Sequence, residues 1–135
     1  MKSCYAQYKY LLAIYELARN KDRVKSVDIA NRLGVSRPSV SKTIKCLYNS
    51  GFVNEDYANE IVLTPLGRET GKELYDNYRY VNLFFRKVLK LSDEQADEQT
   101  LTFMAAFPEE TIEKLSETMK STILRQREIR RSKQS

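Results

Sequence analysis

Residues 26–63 read SVDIANRLGVSRPSVSKTIKCLYNSGFVNEDYANEIVL, and the spacing within this stretch decides the fold. Ser26 reads as the cap of a short helix whose buried face is Ile29, Ala30 and Leu33. Gly34 supplies the left-handed residue where that helix stops, and Val35 plugs the corner. Ser36 caps a second helix, with Pro38 in its first turn, where no backbone donor is missed. Val40, Ile44 and Leu47 recur at helical spacing as its core face, and Gly51 ends it. Phe52-Val53 and Ile61-Val62-Leu63 are β-prone runs around Asp56-Tyr57-Ala58-Asn59, which predicts a two-stranded wing. Helix, tight turn, helix and hairpin is the order of a winged helix-turn-helix, whose second helix enters the major groove of DNA.

The polar side of that second helix carries the residue types such a role needs. Pro38, Ser41, Lys42, Lys45 and Asn49 lie opposite the core face, with Arg37 and Ser39 at the entry end. Short hydroxyls let a phosphate come close, and lysines neutralise it. Arg37 can reach guanine or phosphate. The predicted DNA contacts are Lys25, Ser26, Ser36, Arg37, Pro38, Ser39, Ser41, Lys42 and Lys45, joined on the wing by Tyr57 and Asn59. Charge placement agrees. Between residues 19 and 50 the cations are Arg19, Lys21, Arg23, Lys25, Arg32, Arg37, Lys42 and Lys45, against only Asp22 and Asp28. The formal charge of the whole chain is +5, so its excess is concentrated on this element.

With 135 residues, 41% of them hydrophobic, the chain supports one domain, or a DNA-binding domain with a helical extension. The two cysteines, Cys4 and Cys46, fit a reduced cytoplasmic protein better than a disulfide framework. No apolar run suits a bilayer span and no signal peptide is evident, so the expected location is the cytoplasm, away from membranes. Ahead of the central stretch, Tyr8, Leu11, Leu12, Tyr15 and Ala18 mark an amphipathic helix ending near Asn20-Lys21-Asp22. After it, Thr64-Pro65 opens a long helix with a stripe of Leu74, Tyr78, Val81, Phe85 and Val88, in which Gly67 and Gly71 permit close approach. Ser92-Asp93-Glu94-Gln95 starts a capped helix running to about Ala106. Pro108 divides it from a last helix with Ile112, Leu115, Met119 and Ile123 on one face, a stripe that a second subunit would cover. Arg125 to Ser135 reads as a basic, fraying tail, with contact to DNA as the other reading. The predicted fold is mainly α, with a winged helix-turn-helix of three helices and a two-stranded wing over residues 1–64. An all-helical dimerisation or effector-type region follows over residues 65–135.

YLLAIYELARN, VKSVDIANRLGVSRPSVSKTIKCL and LTPLGRETGKEL together resemble the diphtheria-toxin-repressor and manganese-transport-regulator family. The resemblance is good over residues 8–90 and looser to about 125, and the shorter manganese-type architecture, without the extra small barrel of the iron-type members, is the closer match. It implies a homodimer on double-stranded DNA at a palindromic operator, with manganese or ferrous iron as co-repressor. The family's metal ligands are two acids on the first helix, a histidine on the long helix, and a Glu-x-x-Glu-His run on the next helix. By motif alignment those places fall on Lys9, Leu12, Arg79, Leu101, Met104 and Ala105, and the chain contains no histidine. Manganese and ferrous iron want oxygen and nitrogen donors, so no metal cofactor is expected here. Leu12, Leu101 and Met104 read instead as packing residues that would fill the place of the cation and fix the DNA-competent state.

Other readings of the residues are a winged-helix protein-interaction module without DNA binding, and a metal-responsive regulator with non-standard ligands. Asp93, Glu94, Asp97, Glu98, Glu109 and Glu110 read as helix-start or surface acids. Tyr78, Phe85, Phe103 and Phe107 read as core, with an aromatic cavity for an unknown small effector as the other possibility. An enzyme finds no support, because there is neither histidine nor a glycine-rich phosphate loop nor a nucleophile arrangement.

Overall fold

The computed structural model describes residues 5–134, so Cys4 lies outside the described residues. Six helices follow in order: α1 (Tyr5–Asn20), α2 (Ser26–Leu33), α3 (Arg37–Asn49), α4 (Pro65–Leu83), α5 (Asp93–Ala106) and α6 (Glu109–Gln134). A π-helical turn, Phe84–Val88, continues α4. The chain divides into two compact units, one up to Tyr75 and one from Asp76 onward.

In the first unit α1, α2 and α3 pack on one another around Ile14, Ile29, Val40, Ile44 and Leu47, all fully buried. Because α1 touches both other helices, it buries more than the single expected stripe. Tyr10, Ala13 and Ile14 go inside with Leu11 and Leu12, while Ala18 is exposed. The corner residues behave as their chemistry requires. Gly34 sits at φ 65°, and the Val35 N–H reaches back to the Ala30 carbonyl. At the end of α3, Gly51 at φ 84° lets its own N–H bond Tyr48 O and the Phe52 N–H bond Leu47 O, a paired closure that satisfies two orphan carbonyls. Thr64 caps α4 through Gly67 N–H, 3.0 Å away, and donates its hydroxyl to Gly51 O. Gly67 is needed for this approach: a Cβ there would lie 2.0 Å from the Phe52 carbonyl oxygen.

One expectation is corrected in this unit, and one is not confirmed. The N-cap of α2 is Lys25, with Ser26 already helical, because the Asp28 carboxylate folds back onto the Lys25 N–H at 2.9 Å and fixes the start one residue earlier. The two-stranded wing is not confirmed, because the described residues form no named strand. Pairing is reduced to single antiparallel bridges, Val53 with Leu63 and Val24 with Ile61. Asn54 accounts for this. Its N–H still bonds Val62 O, but its side-chain oxygen accepts the Val62 N–H and its amide donates to Glu60 O, so a side chain takes the place of the next rungs.

In the second unit, α5 begins as predicted, Ser92 and Gln95 forming a reciprocal cap. Val81, Ala96, Thr100, Met104, Ile112 and Met119 form its core. Asn82, 6% exposed, donates to Asp97 and Thr100 and accepts from Arg86, and Tyr78 also donates to Asp97. Asp97 is therefore bonded to α4 rather than being an idle surface acid, and Tyr78 contributes a polar group to the predicted apolar stripe. The π turn rotates that stripe out of phase, leaving Val88 54% exposed. Phe103 stacks on Phe107 at 4.3 Å and meets Phe85 edge-on, but Phe107 is 46% exposed rather than core as expected, because it follows the last turn of α5. The segment expected to fray from Arg125 is helical through Gln134. Arg, Gln, Glu and Lys are good helix formers, and Arg131 and Lys133 in the last turn oppose the helix dipole.

Candidate nucleic-acid interface

The geometry of α3 follows from its two ends and its buried stripe. Ser36 holds the start, its oxygen accepting the Ser39 N–H at 3.3 Å and its hydroxyl meeting that of Ser39 at 2.9 Å. Burying Val40, Ile44 and Leu47 turns the opposite side outward, so Arg37, Pro38, Ser39, Ser41, Lys42 and Lys45 are all exposed. The helix contains no acidic residue, and Arg37, Lys42 and Lys45 pair with no carboxylate among the described residues. A rod with free cations and short hydroxyls on one exposed side can accept phosphates along its length.

The other predicted contacts divide. Lys25 is exposed beside the start of α2, whereas Ser26 is half-buried. Tyr57 is half-buried with its ring 5.5 Å from that of Tyr48, and Asn59 donates to Asp56 at 2.8 Å within the turn. Sequence reasoning missed Tyr48. It fixes the turn after α3 to the end of that helix, and an aromatic residue one step beyond Leu47 was the only available signal. Several cations counted toward the surface are engaged elsewhere. Lys21 bonds Asp28 at 2.7 Å, Arg32 pairs with Glu16, and Arg19 lies over the Tyr75 ring at 4.6 Å. The Lys21 ammonium, then the Lys25 N–H, holds the Asp28 carboxyl below its ordinary value of 3.8. Arg23, Lys25, Arg37, Lys42 and Lys45 remain without an ion pair among the described residues. Cys46 is exposed, off the core face as expected.

The places that the resemblance aligns with metal ligands carry Lys9, Leu12, Arg79, Leu101, Met104 and Ala105. Leu12 and Met104 are buried in their own units, and Leu101 and Ala105 are half-buried. Lys9 is half-buried, and Arg79 is exposed beside Asp76 and the Tyr80 ring. These side chains do not fit manganese or ferrous iron: they offer one thioether, two cations and otherwise hydrocarbon. No cluster of three or more His, Cys, Asp or Glu among the described residues could hold a metal ion. No helix among them is long and apolar enough to cross a membrane.

Comparison with known proteins agrees with this geometry. The iron-dependent repressor N-terminal DNA-binding domain matches residues 6–58. A helix-turn-helix-type transcriptional regulator of Methanocaldococcus jannaschii is 28% identical over 107 residues, covering 78% of this chain and 86% of the relative. The transcriptional regulator MntR of Salmonella typhimurium is 34% identical over 87 residues, covering 64% of this chain and 55% of MntR. The solved structure of the manganese regulator SloR shares the fold, with a TM-score of 0.73 at 24% identity over 84% of this chain and 53% of SloR. The chain thus spans about half the length of MntR and of SloR. With the α3 face in agreement, residues 6–58 match an iron-dependent repressor N-terminal DNA-binding domain, and the chain is similar over that region to transcriptional regulators of the MntR type.

Proposed function

We propose that this chain is a cytoplasmic repressor that binds a palindromic operator as a homodimer and needs no metal co-repressor. Residues 1–64 read the DNA and the helical region from residue 65 pairs the subunits. The observation that carries the reading is the outer face of α3, where Arg37, Lys42 and Lys45 are exposed and unpaired and no acid interrupts them. Ser36, Pro38, Ser39 and Ser41 set how close the backbone can come, Arg37 contacts a base edge or phosphate, and Lys42 and Lys45 bind phosphate. Lys25 and Ser26 at the start of α2, and Tyr57 and Asn59 in the following turn, flank that contact.

The homodimer is supported by an open groove of about 680 Å³ in the second unit, with Leu83, Phe84, Val88, Leu115, Met119 and Ile123 among its lining. A second copy would remove this apolar surface from water. Metal independence is supported by the donor chemistry at Lys9, Leu12, Arg79, Leu101, Met104 and Ala105. Selection of bound genomic fragments by the purified protein, with and without chelator, tests the whole reading. The expected result is one enriched palindromic sequence in both arms. Enrichment that disappears in chelator and returns with manganese overturns metal independence, and no enrichment in either arm overturns the regulator.

A further inference from the structure

We propose that the last third of α6 is a second, sequence-independent contact for the phosphates of double-stranded DNA, separate from α3. This rests on the reading of the chain as a DNA-binding regulator but concerns residues to which that reading gives no DNA contact, although Gln126 and Arg130 also line the end of the apolar groove.

Three features of α6 carry the proposal. The inward stripe Ile112, Leu115, Met119 and Ile123 continues by steps of three and four as Gln126, Arg130 and Lys133. The face that packs in the first part of the helix thus becomes polar and cationic in the last part, and residues 125–134 are all exposed. At 1.5 Å per residue these ten residues form an exposed rod of about 15 Å, whose start borders the groove through Gln126 and Arg130. Its charge is one-sided: Arg125, Arg127, Arg130, Arg131 and Lys133 stand against Glu128 alone. Arg131 has a partner within the chain, but Arg125, Arg127, Arg130 and Lys133 have none among the described residues.

Two simpler accounts fall short. Cations stabilise the last turn of a helix through its dipole, which covers Arg131 and Lys133, but the effect fades within one turn and leaves Arg125 and Arg127 unexplained. A membrane surface would need an apolar stripe beside the charges. The only large apolar residues here are Leu124 and Ile129, five positions and so about 140° apart around the helix, which makes no stripe. A polyanion that asks for charge and no apolar face remains, and duplex DNA is the polyanion this family binds.

The test uses the full chain and a long mixed-sequence duplex, with affinity measured over a range of salt. In one variant Arg125→Gln, Arg127→Gln, Arg130→Gln and Lys133→Gln are combined. In a second, the three arginines become lysine. Each lost phosphate contact lowers the salt slope by about 0.9, so the glutamine variant should lose about two to four units and the lysine variant should keep the slope. Circular dichroism and sedimentation without DNA accompany both variants. An unchanged slope in a folded glutamine variant overturns this inference and leaves the α3 reading standing. If the wild type binds no duplex at any salt, both fall. A glutamine variant that dissociates into monomers assigns the basic segment to the acidic residues Glu109, Glu110, Glu113 and Glu117 of a second copy. Wild-type binding to phosphatidylserine vesicles that the glutamine variant loses, with an unchanged DNA slope, assigns it to a membrane. Either result overturns the DNA contact.

Discussion

Lys42 and Gly67 show how one residue can matter through opposite properties, freedom in one case and confinement in the other. Lys42 is exposed on α3 and unpaired among the described residues, so its removal should cost binding and leave the fold alone. Lys42→Ala is expected to weaken all DNA sequences about equally and to lower the salt slope by about one unit. Titrations of two unrelated duplexes over a salt series check this, and a changed sequence preference at constant slope would reassign Lys42 to a base edge. Gly67 is confined against backbone rather than against a side chain that could turn away. Gly67→Ala should destabilise the fold by about 2–3 kcal/mol, the upper part of the range for overpacking, as read by denaturant unfolding. Gly71 is the control: an added Cβ there meets Tyr15 Cδ1, Cβ and Cγ at 3.0–3.2 Å, side-chain atoms rather than backbone and at a longer distance, so Gly71→Ala should cost less.

At the scale of elements, caps and turns carry the local energetics. Asp28 joins α2 to the loop before it by accepting from the Lys21 ammonium and the Lys25 N–H, and both hydrogen bonds favour its charged form. Its folded value lies below the unfolded 3.8, so the unfolded chain takes up the proton first as pH falls. The stabilisation is complete above the ordinary carboxylate range and is lost as pH falls through the lower folded value. Unfolding midpoints taken at neutral pH and near pH 3 should therefore differ less for Asp28→Asn than for the wild type. An equal acid loss in both would show that Asp28 does not anchor the start of α2. The turn after α3 teaches a related lesson. β-prone runs on both sides were legible, but the ability of Asn54 to satisfy Val62 and Glu60 with its side chain was not, because an asparagine reads the same whether its amide faces water or a neighbouring strand.

For the whole molecule, the proposed metal independence should be measurable without any DNA. A ligand bound only to the native state raises stability by about 2.7 kcal/mol at a hundredfold excess over its dissociation constant. Melting curves in chelator and in excess manganese are expected to superimpose. A manganese-dependent rise of several degrees would reveal a site built from other residues and return the chain to metal control.

Helix spacing, the Gly34 and Gly51 stops, the Ser36 and Ser92 caps and the polar face of α3 were all readable from residue order. Each depends on a side chain or backbone preference acting within a few positions. The face of α3 was legible for the same reason: burying Val40, Ile44 and Leu47 leaves the opposite side no choice but solvent. What required tertiary structure were the matters of partnership. Which cations are free and which are held by Glu16 or Asp28, why Val88 turns outward, and why Asn82 and Asp97 join α4 to α5 all depend on residues distant in sequence. Periodicity reports which side of an element is buried, but hydrogen bonds and ion pairs depend on what the fold brings opposite.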